Sequence, residues 1–549
     1  MTTQRPPGSS WLVPLLTAVA ILLLGIFGRD PWKSDEAYTF GLVYQNLQTG
    51  DFLVPTLAGE PFVEKPPLFY WTAALLCRLF APPLTLPDAA RLASPLYVAL
   101  AAVFVGLTSR RLNGAGWPAA LLLLGTVGLL HQAHLLITDL AVLAGSALAF
   151  YGLALACAAP GRAGLFVGTG AGIAFMAKGL VGPALFLATA AGLPIASRLW
   201  RTRSYVRCLV VTMVAAAPWL LIWPTALYWR SPALFWEWLW TNNLGRFFGF
   251  QHLGPSMHPF YYVTLLPWYA WPIGALTLWS AWSESRDGWR SAALQLPAVG
   301  AISITVLLSL AHDRRDVYIL PAFVPLAVLA ARGLPGLPTR FLSRWRRASG
   351  IAFGVILGAL WIGWLVQIVG WPEELAARIN AVRPGFIPEF RPELVAVAVV
   401  VSLGFMYVIR QAVTTGADAA VHWTAGIAAM YGLAMTLWLP MANYAMSYRP
   451  TVTSLRAALP VEERCINSQS LGEPQRAFFH YLGGITTRRL EAGYPLDCDW
   501  ILIQGRYDGA ADGFPQPPGP NWQAVWESRR GGREVFILFR RTDKEGTSD

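Results

Sequence analysis

Apolar residues in this chain fall into long unbroken runs, not the alternating or every-third-residue patterns of soluble strands and helices. Thirteen runs are long enough, or nearly so, to cross a bilayer as helices: 11–27, 92–108, 117–135, 140–158, 164–177, 180–195, 208–227, 260–280, 292–310, 317–331, 351–369, 394–409 and 420–439. Of these, 164–177, 180–195 and 317–331 are short for a full span. The first run has a basic residue before it, like a leader, but no small-x-small cleavage site comes after it, so it reads as a retained helix. Three connections are long, 28–90, 228–259 and 370–393, and loops of that length between membrane helices are more often functional than idle. Within the first, Asp51–Leu57 and Pro67–Trp71 read as short helices lying in the membrane interface.

After Ala442 the pattern changes. Glu473–Leu482 is amphipathic at helical spacing, Trp500–Ile503 and Glu534–Phe539 are apolar runs of strand length, and Gly513–Pro520 is a loop rich in Pro and Gly. The expected architecture is a polytopic α-helical membrane protein with about 13 transmembrane helices over 1–440, then a soluble α/β domain over 441–549. No internal repeat is visible.

Composition reinforces this reading. Hydrophobic residues make up 55% and charged residues 13% of the chain, against roughly 25% charged in soluble domains. The 25 Trp residues suit membrane–water boundaries. The net charge of +11 comes from Arg spread over short loops, which suits lipid headgroups and helix anchoring and excludes a nucleic-acid patch. With the N-terminus inside, the inner loops carry Arg110 and Arg111, Arg162, Arg198 to Arg207, Arg286 and Arg290, Arg340 to Arg347, and Arg410, as the positive-inside rule requires. An odd helix count then leaves the last domain outside, in the periplasm of a Gram-negative cell. Its Cys465 and Cys498 form the candidate disulfide there.

Candidate chemistry lies where the charge rule is broken. Lys33, Lys65 and Lys178 all fall on the outer side, as do Arg314 and Arg315 in the run His312-Asp313-Arg314-Arg315-Asp316. Asp35-Glu36, Glu64 and Asp139, the last near His131 and His134, gather on the same side. Ionisable groups at membrane depth are costly and by default functional candidates. Several cations, a carboxylate and an entrance from the lipid suit group transfer from a lipid-linked phosphate. The cations would stabilise the charge that the phosphate gains on leaving, and a carboxylate would take a proton from an attacking hydroxyl.

Several short runs carry a family resemblance: Asp35-Glu36, Gly50-Asp51-Phe52-Leu53-Val54-Pro55, Phe62-Val63-Glu64-Lys65-Pro66-Pro67, Asp139, Lys178-Gly179 and Arg246-Phe247. His258-Pro259-Phe260-Tyr261-Tyr262, Leu266-Pro267-Trp268, Arg315 and Tyr318-Ile319-Leu320-Pro321 come after them in order. Together they resemble the GT-C glycosyltransferases, in particular the bacterial relatives of protein O-mannosyltransferases. The lipid A 4-amino-4-deoxy-L-arabinose transferase family is the most similar. The resemblance implies a GT-C fold in the bacterial inner membrane and a periplasmic active site. It implies a sugar donor on undecaprenyl phosphate, transfer with inversion, and no nucleotide.

The acceptor it implies is lipid A or another part of lipopolysaccharide; a protein or an envelope polysaccharide is the alternative. The resemblance implies a catalytic role for Asp35 and contacts to donor phosphate from Lys65, Arg246 and Tyr318. Asp139 and Glu64 are further candidate catalytic carboxylates, Arg315 and Lys178 further candidates for binding donor phosphate, and Glu36, His258 and Tyr262 candidate supporting residues. No cofactor is expected to be required; Glu64 is where a divalent metal would sit. The expected partners are the donor, the acceptor and membrane lipids, without nucleic acid, and the expected state is a monomer.

The chain departs from the family pattern in three places. The family's Asp-Glu-x-Arg-Tyr-Ala-Glu run reads Asp35-Glu36-Ala37-Tyr38-Thr39-Phe40, Asn243 stands where His is usual, and Asp313-Arg314-Arg315-Asp316-Val317 replaces Lys-Gly-Lys-Leu-Pro. The rival class is a lipid or sugar transporter. Such proteins tend to show repeated halves and charges near the bilayer midplane, neither of which this sequence has.

Overall fold

The computed structural model of the chain describes residues 11–32, 34–250, 257–285, 288–507, 513–531 and 533–542. Lys33, Arg286 and Lys544 lie outside them. The chain divides into two compact units, one of residues 1–29 and 63–441, the other of residues 30–62 and 442–549. The first half of the long external loop, which the sequence pattern groups with the membrane helices, therefore clusters with the C-terminal segment.

In the first unit each of the thirteen apolar runs is helical, two of them as broken pairs. Six helices among the described residues are long and apolar enough to cross a membrane on their own, seven if the bent pair Gly416–Leu437 and Leu439–Met446 is one span. Shorter apolar helices such as Asp139–Leu155 and Val181–Ala196 accompany them. The breaks are satisfied within the protein, as backbone at membrane depth must be. Where helix Trp117–Leu124 stops and Val127–Gln132 begins, Trp423 Nε1 donates to the Gly125 carbonyl at 2.8 Å and Thr424 Oγ1 to that of Leu121 at 3.0 Å. The Val127 amide donates to the carbonyl of Trp271, at the second break, between Tyr261–Tyr269 and Ile273–Ser283.

The exit of the first helix is pinned by a buried ion pair. Arg91 is 1% exposed and donates to Asp88 at 2.8 Å and to the carbonyls of Ile26 and Arg29 at 2.6 and 3.1 Å. Asp88 in turn accepts from the Gly28 amide at 3.1 Å. A buried pair so fully hydrogen-bonded fixes one chain path. His134 belongs to the same scaffold, for its two ring nitrogens face the carbonyls of Leu130 and Ile21 at 2.6 and 2.8 Å.

The second unit is an α/β layer. Its five-stranded sheet comprises β3 (Ile466–Gln469), β4 (Arg488–Arg489), β5 (Trp500–Arg506), β6 (Trp522–Arg530) and β7 (Glu534–Arg541), in the order β4-β3-β5-β7-β6. Strand β3 runs parallel to both of its neighbours, with helix Glu473–Gly483 as the crossover to β4; the β5–β7–β6 side is antiparallel. Strands β5 and β7 are buried on both faces, which is why they read as continuous apolar runs. Leu502, Phe536 and Leu538 face one core, and Ile501, Val535 and Ile537 the other. A disulfide joins Cys465 and Cys498 at the edge of β3 and β5.

From the external loop this unit takes helix Asp35–Thr49 and a two-stranded hairpin, β1 (Thr56–Leu57) and β2 (Glu60–Pro61). The expected interfacial helix at 51–57 is absent. Asp51 Oδ1 instead accepts from the amides of Leu53 and Val54 at 3.0 and 3.3 Å, an Asx turn, and Pro55 leads into β1. Pro67–Trp71 does open a helix, Leu68–Phe80.

Candidate active site

In the first unit, several helix ends converge on one cleft. Helix Asp139–Leu155 starts there, Pro160–Lys178 ends there, and Ala292–Leu310 ends just before Asp313 and Tyr318. Glu64 and Lys65 reach it from the loop, and Arg246 comes directly after a wide π-helical turn, Glu237–Gly245. Wide turns of this kind recur at functional sites because they re-aim the next side chains along the helix. The cleft encloses about 750 Å³, open mouth included, with Val142, Leu185 and Leu308 on its apolar wall.

The charges in the cleft come as opposed pairs. Arg246 donates from Nε to Asp313 at 2.8 Å and from its end nitrogen to Glu64, while Lys65 Nζ lies 3.8 Å from Glu64. Lys178 pairs with Asp139 and sits 3.5 Å from the centre of the Tyr318 ring, a cation–π contact. Burial by itself would raise the Glu64 carboxyl, but the positive charges of Lys65, Arg246 and Arg315 outweigh it and hold the pKa down to about 2. Glu64 is therefore a permanent anion among cations. Lys178 and Asp139 form the second opposed pair of the cleft.

Lys178 owes its direction to Gly179. The glycine has φ +72, and a Cβ there would collide with Asn243 Oδ1. That oxygen accepts the Leu180 amide at 3.1 Å, while Asn243 Nδ2 donates to the Trp238 carbonyl at 2.8 Å. Asn243, in the place of the family's usual His, thus ties the Lys178 turn to the π-helical turn that leads to Arg246.

The other expected site residues are scattered. Tyr262 is fully buried and its hydroxyl donates to the Arg315 carbonyl at 3.1 Å, steadying the segment before Tyr318. His258 is exposed and does not line the cleft. Asp35 and Glu36 belong to the second unit, at the start of helix Asp35–Thr49, where Glu36 accepts the Trp32 amide at 2.9 Å and Ser34 Oγ lies 3.3 Å from Asp35. Asp313, the second carboxylate on Arg246, is a cleft residue that the sequence pattern does not single out. Its only signal was its position next to Arg314 and Arg315, on the side where charges break the topology rule.

The residues around Glu64 do not fit a divalent metal. Two cations already occupy the carboxylate, and among the described residues no group of three His, Cys, Asp or Glu side chains converges there. The one such group among them, Cys465, Asp497 and Cys498, contains the disulfide.

Helix ends gathered over a charged cleft, in a chain that also carries a separate sheet-bearing unit, define a polytopic helical membrane protein of the GT-C fold. The model of the dolichyl-phosphate-mannose-protein mannosyltransferase family matches residues 64–223. The chain is 28% identical over 348 residues to an undecaprenyl phosphate-alpha-4-amino-4-deoxy-L-arabinose arabinosyl transferase of Edwardsiella ictaluri, a match that spans 59% of each chain. It is 26% identical to the Yersinia enterocolitica protein of the same name, over 67% of this chain and 68% of that one. Its fold matches the crystal structure of ArnT from Cupriavidus metallidurans bound to undecaprenyl phosphate, with a TM-score of 0.70 at 19% identity over 97% of this chain and 98% of that one. The chain thus has the GT-C fold and is similar to the protein mannosyltransferases and to the undecaprenyl phosphate-4-amino-4-deoxy-L-arabinose transferases.

Proposed function

We infer that this protein transfers a sugar from undecaprenyl phosphate to lipid A, with 4-amino-4-deoxy-L-arabinose as the sugar. The observation that carries this reading is the convergence of Lys65, Lys178 and Arg246 in one cleft with an apolar wall, at the helix ends opposite the Arg-rich loops. The names of the relatives support the particular sugar and its undecaprenyl phosphate carrier.

In the reaction, an acceptor oxygen attacks the anomeric carbon from the face opposite the phosphate. The bond from that carbon to the phosphate oxygen breaks, and inversion results. A phosphodiester with one negative charge leaves as a monoester with more, and fixed cations stabilise that gain. Lys65, Arg246 and Arg315 supply it, with Lys178 and the Tyr318 hydroxyl beside them. Glu64 and Asp313 hold the Arg246 fork in place, at the cost of competing with the phosphate for it. Asp35, carried over from the family motif, takes the proton when the acceptor is a hydroxyl. Where the acceptor is an anionic lipid A phosphate, it positions the attacking group. The Arg-bearing loops at the other helix ends support an inner-membrane protein whose cleft opens to the periplasm.

The test is release of undecaprenyl phosphate from a labelled undecaprenyl-phosphate sugar by purified protein, with lipid A, a Ser/Thr peptide and an envelope polysaccharide supplied in turn. Release dependent on lipid A is expected. Release with another acceptor alone would reassign the substrate. Passage of intact donor across a liposome membrane with no release would make the protein a transporter.

A further inference from the structure

The helix that begins with Asp35 is gripped at both ends by the C-terminal segment. Before it, Asp30 accepts both Nε and an end nitrogen of Arg449, at 3.2 and 2.5 Å, together with Ser447 Oγ at 2.6 Å, and the Asp30 amide donates to Asn443 at 3.0 Å. After it, Glu60 on the β1–β2 hairpin accepts Arg476 at 2.9 Å and two nitrogens of Arg489 at 2.9 and 2.8 Å. Between the grips, the helix face packs on helix Glu473–Gly483. A Cβ added at Gly41 would lie 2.7 Å from Ala477 Cβ, and Phe40 and Tyr44 meet Tyr481 edge-on with ring centres 4.7 and 5.1 Å apart. Glu60 and Arg476 are both largely buried, with side chains 15% and 7% exposed. Bidentate arginine–carboxylate pairs fix direction as well as distance.

We propose that Glu60 with Arg476 and Arg489, and Asp30 with Arg449, are positioning residues, through which the C-terminal domain holds the Asp35 helix in its working orientation. The proposal rests on the glycosyl-transfer reading and on the role of Asp35 within it. It gives residues 442–549 a part in the chemical step, through Asp35. Loosening a grip should then lower turnover without weakening the hold on the donor phosphate.

The test uses the full-length protein in detergent or nanodiscs, with Glu60→Gln, Glu60→Asp and Arg449→Met. Three quantities are measured: turnover at saturating donor, the Kd for undecaprenyl phosphate without sugar, and amide hydrogen exchange over 35–62 and over 500–541. Glu60→Gln should cut kcat at least tenfold, leave Kd within twofold, and speed exchange over 35–62 while β5 to β7 stay protected. Glu60→Asp should recover most of the loss. Arg449→Met acts at a grip whose arginine is 58% exposed, so it tests the same split where the fold is least disturbed. Unchanged kcat in both Glu60→Gln and Arg449→Met would overturn the proposal. So would a parallel loss of kcat, donor affinity and sheet protection, which marks a general folding fault. Failure of the underlying reading looks different: the wild type itself would release no undecaprenyl phosphate, while the exchange measurement would still report whether the grips hold the helix.

Discussion

The cleft of the helical unit and the grips of the second unit are built from the same residue types, arginines against carboxylates, but they differ in what the charges face. In the cleft, Arg246 is shared by Glu64 and Asp313 beside open volume, so a phosphate can enter and redistribute the pairing. In the second unit, Glu60 is satisfied by Arg476 and Arg489, and the partners come from the unit's own secondary structure. The first arrangement is exchangeable and suits a ligand; the second is closed and suits a scaffold. An ion pair therefore signals function only together with the space next to it.

The sharpest way to break this comparison is Asp35→Asn. The residue is half-buried at a helix start, outside the described cores, so the change should leave expression and folding nearly intact. Loss of a general base costs about 10²- to 10⁴-fold, and turnover with a hydroxyl acceptor should fall by that much while undecaprenyl phosphate still binds. Turnover equal to the wild type would remove Asp35 from the chemistry.

Next in size come Lys65→Ala and Arg246→Ala. Each removes a charge-assisted contact of roughly 1.5–3 kcal/mol, so the Kd for undecaprenyl phosphate should rise by about ten- to a hundredfold. Arg246→Ala should cost more, because it also leaves Glu64 and Asp313 without their shared cation. Calorimetry on the purified variants reads this directly, and unchanged affinity in both would make these cations structural.

How much of this was legible in the sequence depends on how far apart the interacting residues are. The apolar runs, strands β5 and β7 and the disulfide pair are local patterns and could be read. Lys65 and Lys178 stood out because they break the charge rule, and Arg246 was found only through its family motif. The union of residues 30–62 with the C-terminal segment could not be read, because it rests on pairs such as Glu60–Arg476, 416 positions apart. The misreading of 51–57 has the opposite origin: its apolar residues looked helical, and one side-chain turn at Asp51 overrode them. Asn243 and Asp313 gain their roles only from packing, Asn243 against Gly179 and Asp313 against Arg246.

A smaller effect, of opposite sign, is expected for Glu64→Gln. The carboxylate competes with the donor phosphate for Lys65 and Arg246, and removing one such charge at the cleft is worth about 1 kcal/mol. Undecaprenyl phosphate should therefore bind about fivefold more tightly to the variant. Acid cannot mimic the change. The folded pKa lies near 2, below the ordinary 4.5, so the anion is fully present above the ordinary value and its contribution is lost only as pH falls toward 2. Donor affinity of the wild type measured between pH 5 and 8 should show no titration from Glu64. A step near pH 4.5 that vanishes in Glu64→Gln would mean that the cations around it hold it less firmly than their geometry requires.

The least effect is expected at His258, and it marks the edge of the cleft. The sequence makes His258 a candidate supporting residue, whereas in the structure it is exposed and absent from the cleft wall. Its ring meets that of Tyr261 edge-on, with centres 6.1 Å apart. Its neighbour Tyr262 faces inward and carries the contact to Arg315. The two residues thus separate what the motif joins. Tyr262→Phe removes a hydrogen bond of about 1 kcal/mol that steadies the segment before Tyr318, and should raise the donor Kd a few-fold. His258→Ala removes only an exposed ring, and should change kcat and Kd by less than twofold. Measured side by side with labelled donor, a tenfold loss in His258→Ala would extend the site beyond the cleft, toward the surface where His258 is exposed.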